Sequence, residues 1–231
     1  MSVAVEKTKE QVLKMGSKMA CAGLVTGTWG NISARVPGEN LYVITPSGIP
    51  YDVCRIMDLV VVDGGGRVID GERRPSTELK MHLAIYNARA DVGAIMHTHS
   101  DYAGALAVAG KPLPPILEDM VQLVGGEVPV ARYARAGTAN LAVAVVEALG
   151  DSNAVLLANH GLVGLGRTVE EAFQVCMVVE KSARVYTWAS LLGRVNIIPP
   201  DEVAALRDAF LTSYGQPKKD AEHRAPGIGK I

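Results

Sequence analysis

Residues 92–99, VGAIMHTH, constrain this chain more than any other stretch. Val92 to Met96 is a short apolar run of the kind that forms a buried strand, and it ends in His97-Thr98-His99. Alternate side chains of a strand share a face, so His97 and His99 project together. A second apolar run, Ala154 to Ala158, ends in Asn159-His160-Gly161 and brings a third imidazole to a strand end, where α/β proteins tend to place ligand sites. Three neutral imidazoles suit Zn²⁺ or another borderline divalent ion, such as Mn²⁺ or Co²⁺, and leave a coordination position for substrate. The competing reading of the local pattern is a pair of surface polar residues beyond a strand. Four of the five histidines (82, 97, 99 and 160) lie in this middle section, with His223 apart.

A chain of 231 residues fits one large domain or two small ones and can bury a sizeable core. A net charge of −1 gives no electrostatic reason to expect a nucleic-acid or membrane partner. Cys21, Cys54 and Cys176 are odd in number and scattered, which fits free thiols in a reducing compartment. The N-terminus MSVAVEKTKE has no apolar core of a signal peptide, and no run approaches the ~18 apolar residues of a membrane span. The expected setting is cytoplasmic.

Residues 5–24 have the spacing of an amphipathic helix, with Val12, Met15, Met19 and Gly23 on one face. Next comes TGTWGNISAR, a glycine-bracketed loop whose successive N–H groups are suited to an anion. Strands are expected at 41–45 and 59–63, the second turned by Gly64-Gly65-Gly66 into a hairpin with no ligand role. Between them lies another small-residue loop, PSGIP at 46–50. Residues 75–89 form a helix with an apolar stripe of Leu79, Leu83 and Tyr86. Ser76 and Thr77 at its start make a phosphate seat. By local pattern alone, Glu78 complements the helix dipole, and His82 is read as a satisfied core histidine in preference to a metal pair with Glu78 one turn away.

Further helices are expected at 100–110, 139–149, 168–192 and 201–214, with strands at 128–131 and after His160. Glu118-Asp119 are adjacent acids in apolar surroundings, and Arg132 and Arg135 precede Gly137-Thr138. Helices alternate with strands joined by tight turns. The pattern therefore predicts a mixed sheet with helices on its faces, not a purely parallel one. The polar, Pro/Gly-containing tail at 216–231 is expected to be disordered.

Six segments, GTWGNIS, TPSGIPY, RRPSTE, HTHSDYAG, ARYARAGT and ANHGLVGLG, occur in the order and spacing of the class II aldolase/adducin family. The resemblance covers about residues 5–215 and is nearest to sugar-phosphate aldolases of the L-fuculose-1-phosphate type. It implies one three-layer α/β/α domain over residues 1–215 with a largely antiparallel mixed sheet, and a C4 homotetramer with active sites at subunit interfaces. It implies zinc held by His97, His99 and His160. Glu78 would be a metal ligand at rest and the proton carrier in turnover. The substrate phosphate would lie on Gly30, Asn31, Ser47, Gly48, Ser76 and Thr77.

The implied reaction cleaves a ketose 1-phosphate to dihydroxyacetone phosphate and an aldehyde through a zinc-stabilised enediolate. The chain departs from the aldolase pattern where a tyrosine reaches the neighbouring subunit's site: it has Glu118-Asp119 there, and these acids become catalytic candidates. The epimerase branch uses an aspartate from this region, but it has Asp at the Glu78 position. Arg135-Ala136 also replace a Thr-Phe pair, which changes the aldehyde end. The alternatives are 4-epimerisation of the L-ribulose-5-phosphate type, decarboxylation of a 3-oxo sugar acid phosphate, dehydration of a thiosugar phosphate, and a non-catalytic adducin-like module. The last is disfavoured by the presence of all three histidines and Glu78.

Overall fold

Helix α1 (Val3–Cys21) starts where Ser2 Oγ accepts from the Val5 amide, and it buries Val5, Val12, Met15 and Met19 along one side. The structure, a computed structural model, describes residues 1–214, so the tail expected at 216–231 lies outside the described residues. Within 1–214 the chain continues through β1 (Asn31–Arg35), β2 (Leu41–Ile44), β3 (Val60–Asp63), β4 (Val68–Asp70) and α2 (Leu79–Ala88). Then come β5 (Ala94–Thr98), α3 (Asp101–Ala109), α4 (Glu118–Val124), β6 (Val130–Ala131) and α5 (Ala139–Leu149). The order ends with β7 (Ala154–Leu157), β8 (Gly161–Gly166), α6 (Val169–Leu192) and α7 (Pro200–Ser213).

The strands make one eight-stranded sheet in the order β4-β3-β2-β1-β5-β8-β7-β6. Every pairing is antiparallel except β6 with β7. The largely antiparallel mixed sheet expected above is therefore present. The β3–β4 hairpin forms as expected: Asp63 Oδ1 accepts from the Gly65 and Arg67 amides and holds the glycine turn.

Two cores lie on opposite faces of the sheet, and period-2 alternation assigns residues to them. Ala94, Met96, Ala154 and Leu156 join the core under α1, α3, α4 and α6, whereas Ile95, Val155 and Leu157 join the core under α2 and α5. Each fully buried branched side chain contributes roughly 1.5–3 kcal/mol, so both faces must be covered and three layers result. No helix among the described residues is long and apolar enough to cross a membrane. All three cysteines are free thiols.

The strand β1 is absent from the sequence expectation, which leaves 26–35 as a loop. Its apolar positions are only Ile32 and Ala34, on the α1 face. The other face presents Asn31 and Ser33, which are buried against α2 through hydrogen bonds. Their polarity hides the strand from a hydrophobicity reading.

Candidate active site

The central strand β5 lies between β1 and β8, with Asn31 opposite His97 on one side and Val163 opposite His97 on the other. His97 therefore projects on the α2 face beside Ile95. His99 follows one residue past the strand, its amide held by Leu24 O at 2.9 Å. His160 arrives on the β7–β8 turn, where Asn159 takes the left-handed conformation (φ 57°), which asparagine tolerates better than most residues.

Two glycines allow these segments to close on the histidines. A Cβ on Gly161 would press into the Thr98 carbonyl oxygen and lie 3.3 Å from both the His97 and His99 rings. A Cβ on Gly30 (φ 78°) would lie 2.7 Å from His97 O and 2.5 Å from Val25 Cγ1. Glycine is needed at both positions by close approach as well as, for Gly30, by backbone conformation.

The three rings meet edge to face, with centroids 4.7–4.9 Å apart. One nitrogen from each lies within 4.8 Å of the others, a group that could hold a metal ion. His97 Nδ1 is 2.9 Å from Leu162 O. A carbonyl only accepts, so Nδ1 carries the proton and Nε2 presents its lone pair inward, the tautomer a metal requires. His99 Nε2 is 2.8 Å from that atom. Burial, and then the neighbouring imidazoles, push His99 down to about 3 and His160 down to about 4. Both rings are therefore neutral ligands near pH 7.

Glu78 precedes the first turn of α2 without capping it. The dipole role expected from local pattern is thus corrected: the carboxylate turns away from its own helix. Oε2 lies 3.1 Å from His97 Nε2 and accepts from Asn31 Nδ2 at 2.8 Å. Oε1 lies 3.6 Å from His160 Nε2 and is buried without a hydrogen-bond partner. Burial raises the Glu78 carboxyl, but His97, His160 and the Asn31 amide outweigh it and hold it below its ordinary value. An orphaned buried carboxylate oxygen costs on the order of 1–3 kcal/mol or more. Three imidazole nitrogens and one such oxygen are the donor set of a borderline divalent ion, and the residues fit one.

These groups open into a cavity of about 400 Å³. Gly30, Asn31, Ser47, Gly48, Ser76 and Thr77 all line it, together with Glu78, His99 and His160. Two of its loops are tied together, because Ser47 N donates to Arg74 O and Ser76 N to Thr45 O. Ser76 Oγ also accepts from the Glu78 amide at 3.3 Å. Sequence reasoning missed Thr28 and Trp29, which line the cavity as well; Trp29 is 63% exposed, and its signal was a large aromatic between two glycines.

His82 is the satisfied core histidine expected: it is fully buried, with a hydrogen-bond partner at each ring nitrogen. Tyr86, expected only as part of an apolar stripe, also bonds through its hydroxyl to Ser33. Glu118 and Asp119 open α4 and do not line the cavity within this chain. Asp119 pairs with Lys181 of α6 instead.

Fold and site together define an α/β/α protein with a three-histidine, one-carboxylate centre on the floor of a polar cavity. The chain belongs to the class II aldolase family: the family described as Class II Aldolase and Adducin N-terminal domain matches residues 10–187. It is 39% identical to 5-deoxy-D-ribulose 1-phosphate aldolase of Bacillus thuringiensis serovar kurstaki, over 92% of this chain and 99% of that protein. It is 33% identical to L-fuculose phosphate aldolase of Escherichia coli O6:H1, over 90% of this chain and 96% of that protein. A solved L-fuculose 1-phosphate aldolase structure matches with a TM-score of 0.87 at 37% identity, covering 91% of this chain and 98% of the other.

Proposed function

We propose that this protein is a metal-dependent aldolase that cleaves a ketose 1-phosphate to dihydroxyacetone phosphate and an aldehyde. The observation that carries the reading is the position of Glu78, between His97 and His160, on the floor of the cavity that Ser47, Gly48, Ser76 and Thr77 line. The relative active on 5-deoxy-D-ribulose 1-phosphate makes a 5-deoxy ketose 1-phosphate the first candidate substrate.

The small-residue loops hold the phosphate through backbone N–H groups and hydroxyls, and this remote anchor fixes the reacting carbons near Glu78. A divalent ion on His97, His99, His160 and Glu78, with Zn²⁺ preferred, would supply Lewis-acid stabilisation of the charge that develops as the C3–C4 bond breaks. The C4 hydroxyl gives its proton to a carboxylate as the aldehyde forms, and the bonding pair stays with the three-carbon fragment. Glu78 takes up a proton from water and delivers it to C3 of that fragment, completing dihydroxyacetone phosphate. Asn31 Nδ2 holds Glu78 Oε2 in place during this transfer.

Among the described residues Glu78 is the one carboxylate that lines the cavity, which leaves no second group to take up the C4 hydroxyl proton. We assign that role to Glu118 and Asp119 acting at a neighbouring subunit's site in a homotetramer. Trp188, Leu191 and Leu192 at the end of α6, and Leu211 on α7, are large apolar side chains that single chains leave exposed, which supports assembly.

The test is turnover of zinc-loaded protein on 5-deoxyribulose 1-phosphate, L-fuculose 1-phosphate, L-rhamnulose 1-phosphate, L-ribulose 5-phosphate and a 3-oxo-tetronate 4-phosphate, read by product NMR. Dihydroxyacetone phosphate from a 1-phosphate supports the aldolase. A C4 epimer or carbon dioxide in its place overturns it.

A further inference from the structure

Side chains of β1 and α2 interlock in a single buried line behind the metal centre. Strand positions 31 and 33 repeat about every 6.6 Å and helix positions 78, 82 and 86 about every 6 Å, so the two ladders stay in step. The order along the line is Glu78, Asn31, His82, Ser33, Tyr86. Asn31 Nδ2 is 2.8 Å from Glu78 Oε2, and His82 Nε2 is 2.5 Å from Asn31 Oδ1. Ser33 Oγ is 2.6 Å from His82 Nδ1 and 2.9 Å from the Tyr86 hydroxyl. All five residues are buried.

Donor and acceptor chemistry gives this line one direction. The Glu78 carboxylate only accepts, so Asn31 must present its NH₂ there and its carbonyl oxygen to His82. That oxygen also only accepts, so His82 Nε2 carries the ring proton. His82 meets an amide and a hydroxyl and no carboxylate at its ring nitrogens, which leaves Nδ1 to accept from Ser33. Ser33 Oγ in turn accepts from Tyr86.

We propose that His82 is a positioning residue for the metal centre. Its Nε2–H fixes the Asn31 amide in the orientation that holds Glu78 against His97. With the amide reversed, an oxygen would face the carboxylate and the Glu78 Oε2 contact would be lost. This inference rests on the reading of Glu78 as metal ligand and proton carrier. Outer partners that orient metal ligands typically affect metal affinity or activity about 10–100-fold.

The test uses zinc-loaded protein with ¹⁵N-labelled histidine and the variants His82→Leu, His82→Gln and Ser33→Ala. NMR of the wild type is expected to show the His82 ring neutral, with its proton on Nε2. His82→Leu is expected to lower zinc affinity, read by competition with a chelator, and kcat by about 10–100-fold each. KM should change less than kcat, because Ser47, Gly48, Ser76 and Thr77 still line the cavity in place to hold the phosphate. His82→Gln, which returns an N–H donor to Asn31, should recover most of both losses.

A His82 proton on Nδ1, or a His82→Leu protein with wild-type zinc affinity, would overturn the proposal. So would equal impairment of the folded Leu and Gln variants, the signature of a merely structural role. If His82→Leu does not fold, Ser33→Ala decides. Loss of the hydroxyl that faces Nδ1 should shift part of the ring population to the other tautomer and weaken zinc binding, and an unchanged spectrum and affinity would refute the idea. If the wild type cleaves no ketose 1-phosphate, the aldolase reading falls, while tautomer and zinc affinity still decide the role of His82.

Discussion

Glu78 Oε2 lies 3.1 Å from His97 Nε2, and the other oxygen of the same carboxylate is buried near His160 with no hydrogen-bond partner. A carboxylate would be expensive to keep there without a cation, and in that position it is also able to hand a proton to a substrate carbon. The proposed chemistry follows from this one placement.

Glu78→Gln keeps the size of the side chain and removes the proton carrier. We expect kcat to fall by about 10²–10⁴-fold, the usual contribution of a general acid–base group, with the fold retained by circular dichroism. An unchanged kcat would show that another group moves the proton.

His160→Ala leaves two ring nitrogens and one carboxylate. Added zinc at 100 times its Kd stabilises a folded protein by about 2.7 kcal/mol, and this variant should lose most of that gain in thermal unfolding. Elemental analysis should also find little bound metal. Full retention of zinc would remove His160 from the centre.

Gly161→Ala tests the close approach of the histidine segments. Its Cβ would press into Thr98 O, so a loss of about 1–3 kcal/mol or more is expected in chemical denaturation, together with weaker metal binding. Gly104→Ala in α3 is the control: nothing lies within 4 Å of the new Cβ, and a mid-helix glycine replaced by alanine should gain about 0.5–1 kcal/mol.

The histidine strand was legible in the sequence because apolar runs lead directly into His97-Thr98-His99 and towards His160. The six predicted phosphate-binding positions were legible as a set only through the order of their motifs. The local pattern misled at Glu78, whose side chain crosses to β5 in place of serving its own helix. It also gave no sign of the α2–β1 line, because Asn31 and Glu78 meet across 47 positions and no local period records such a contact. For the same reason Ser33 and Tyr86 looked unrelated.

Acid should destabilise the metal-free protein. Burial pushes His82 and His99 down to about 3 and His160 down to about 4, against an ordinary value of 6.5. The folded state thus binds fewer protons than the unfolded state below pH 6.5. Stability is full above that pH and is lost as pH falls from 6.5 towards 4 and then 3. Urea unfolding at pH 7 and pH 5 should show the drop, and His82→Gln should show a shallower one. Equal stability at both pH values would contradict the buried neutral rings.

Glu118→Gln with Asp119→Asn tests the role given to α4. Turnover of the double variant should fall at least about 10-fold if an acid–base group has been removed. Asp119 and Lys181 form a half-exposed pair, so stability should change by no more than about 1 kcal/mol. Intact turnover would leave both acids outside the reaction.

The most direct measurement is proton NMR of dihydroxyacetone phosphate in deuterium oxide with zinc-loaded protein and no aldehyde. The account predicts that one hydrogen of the hydroxymethyl carbon exchanges for deuterium with the wild type and not with Glu78→Gln. No exchange with the wild type, or equal exchange with both proteins, would contradict it.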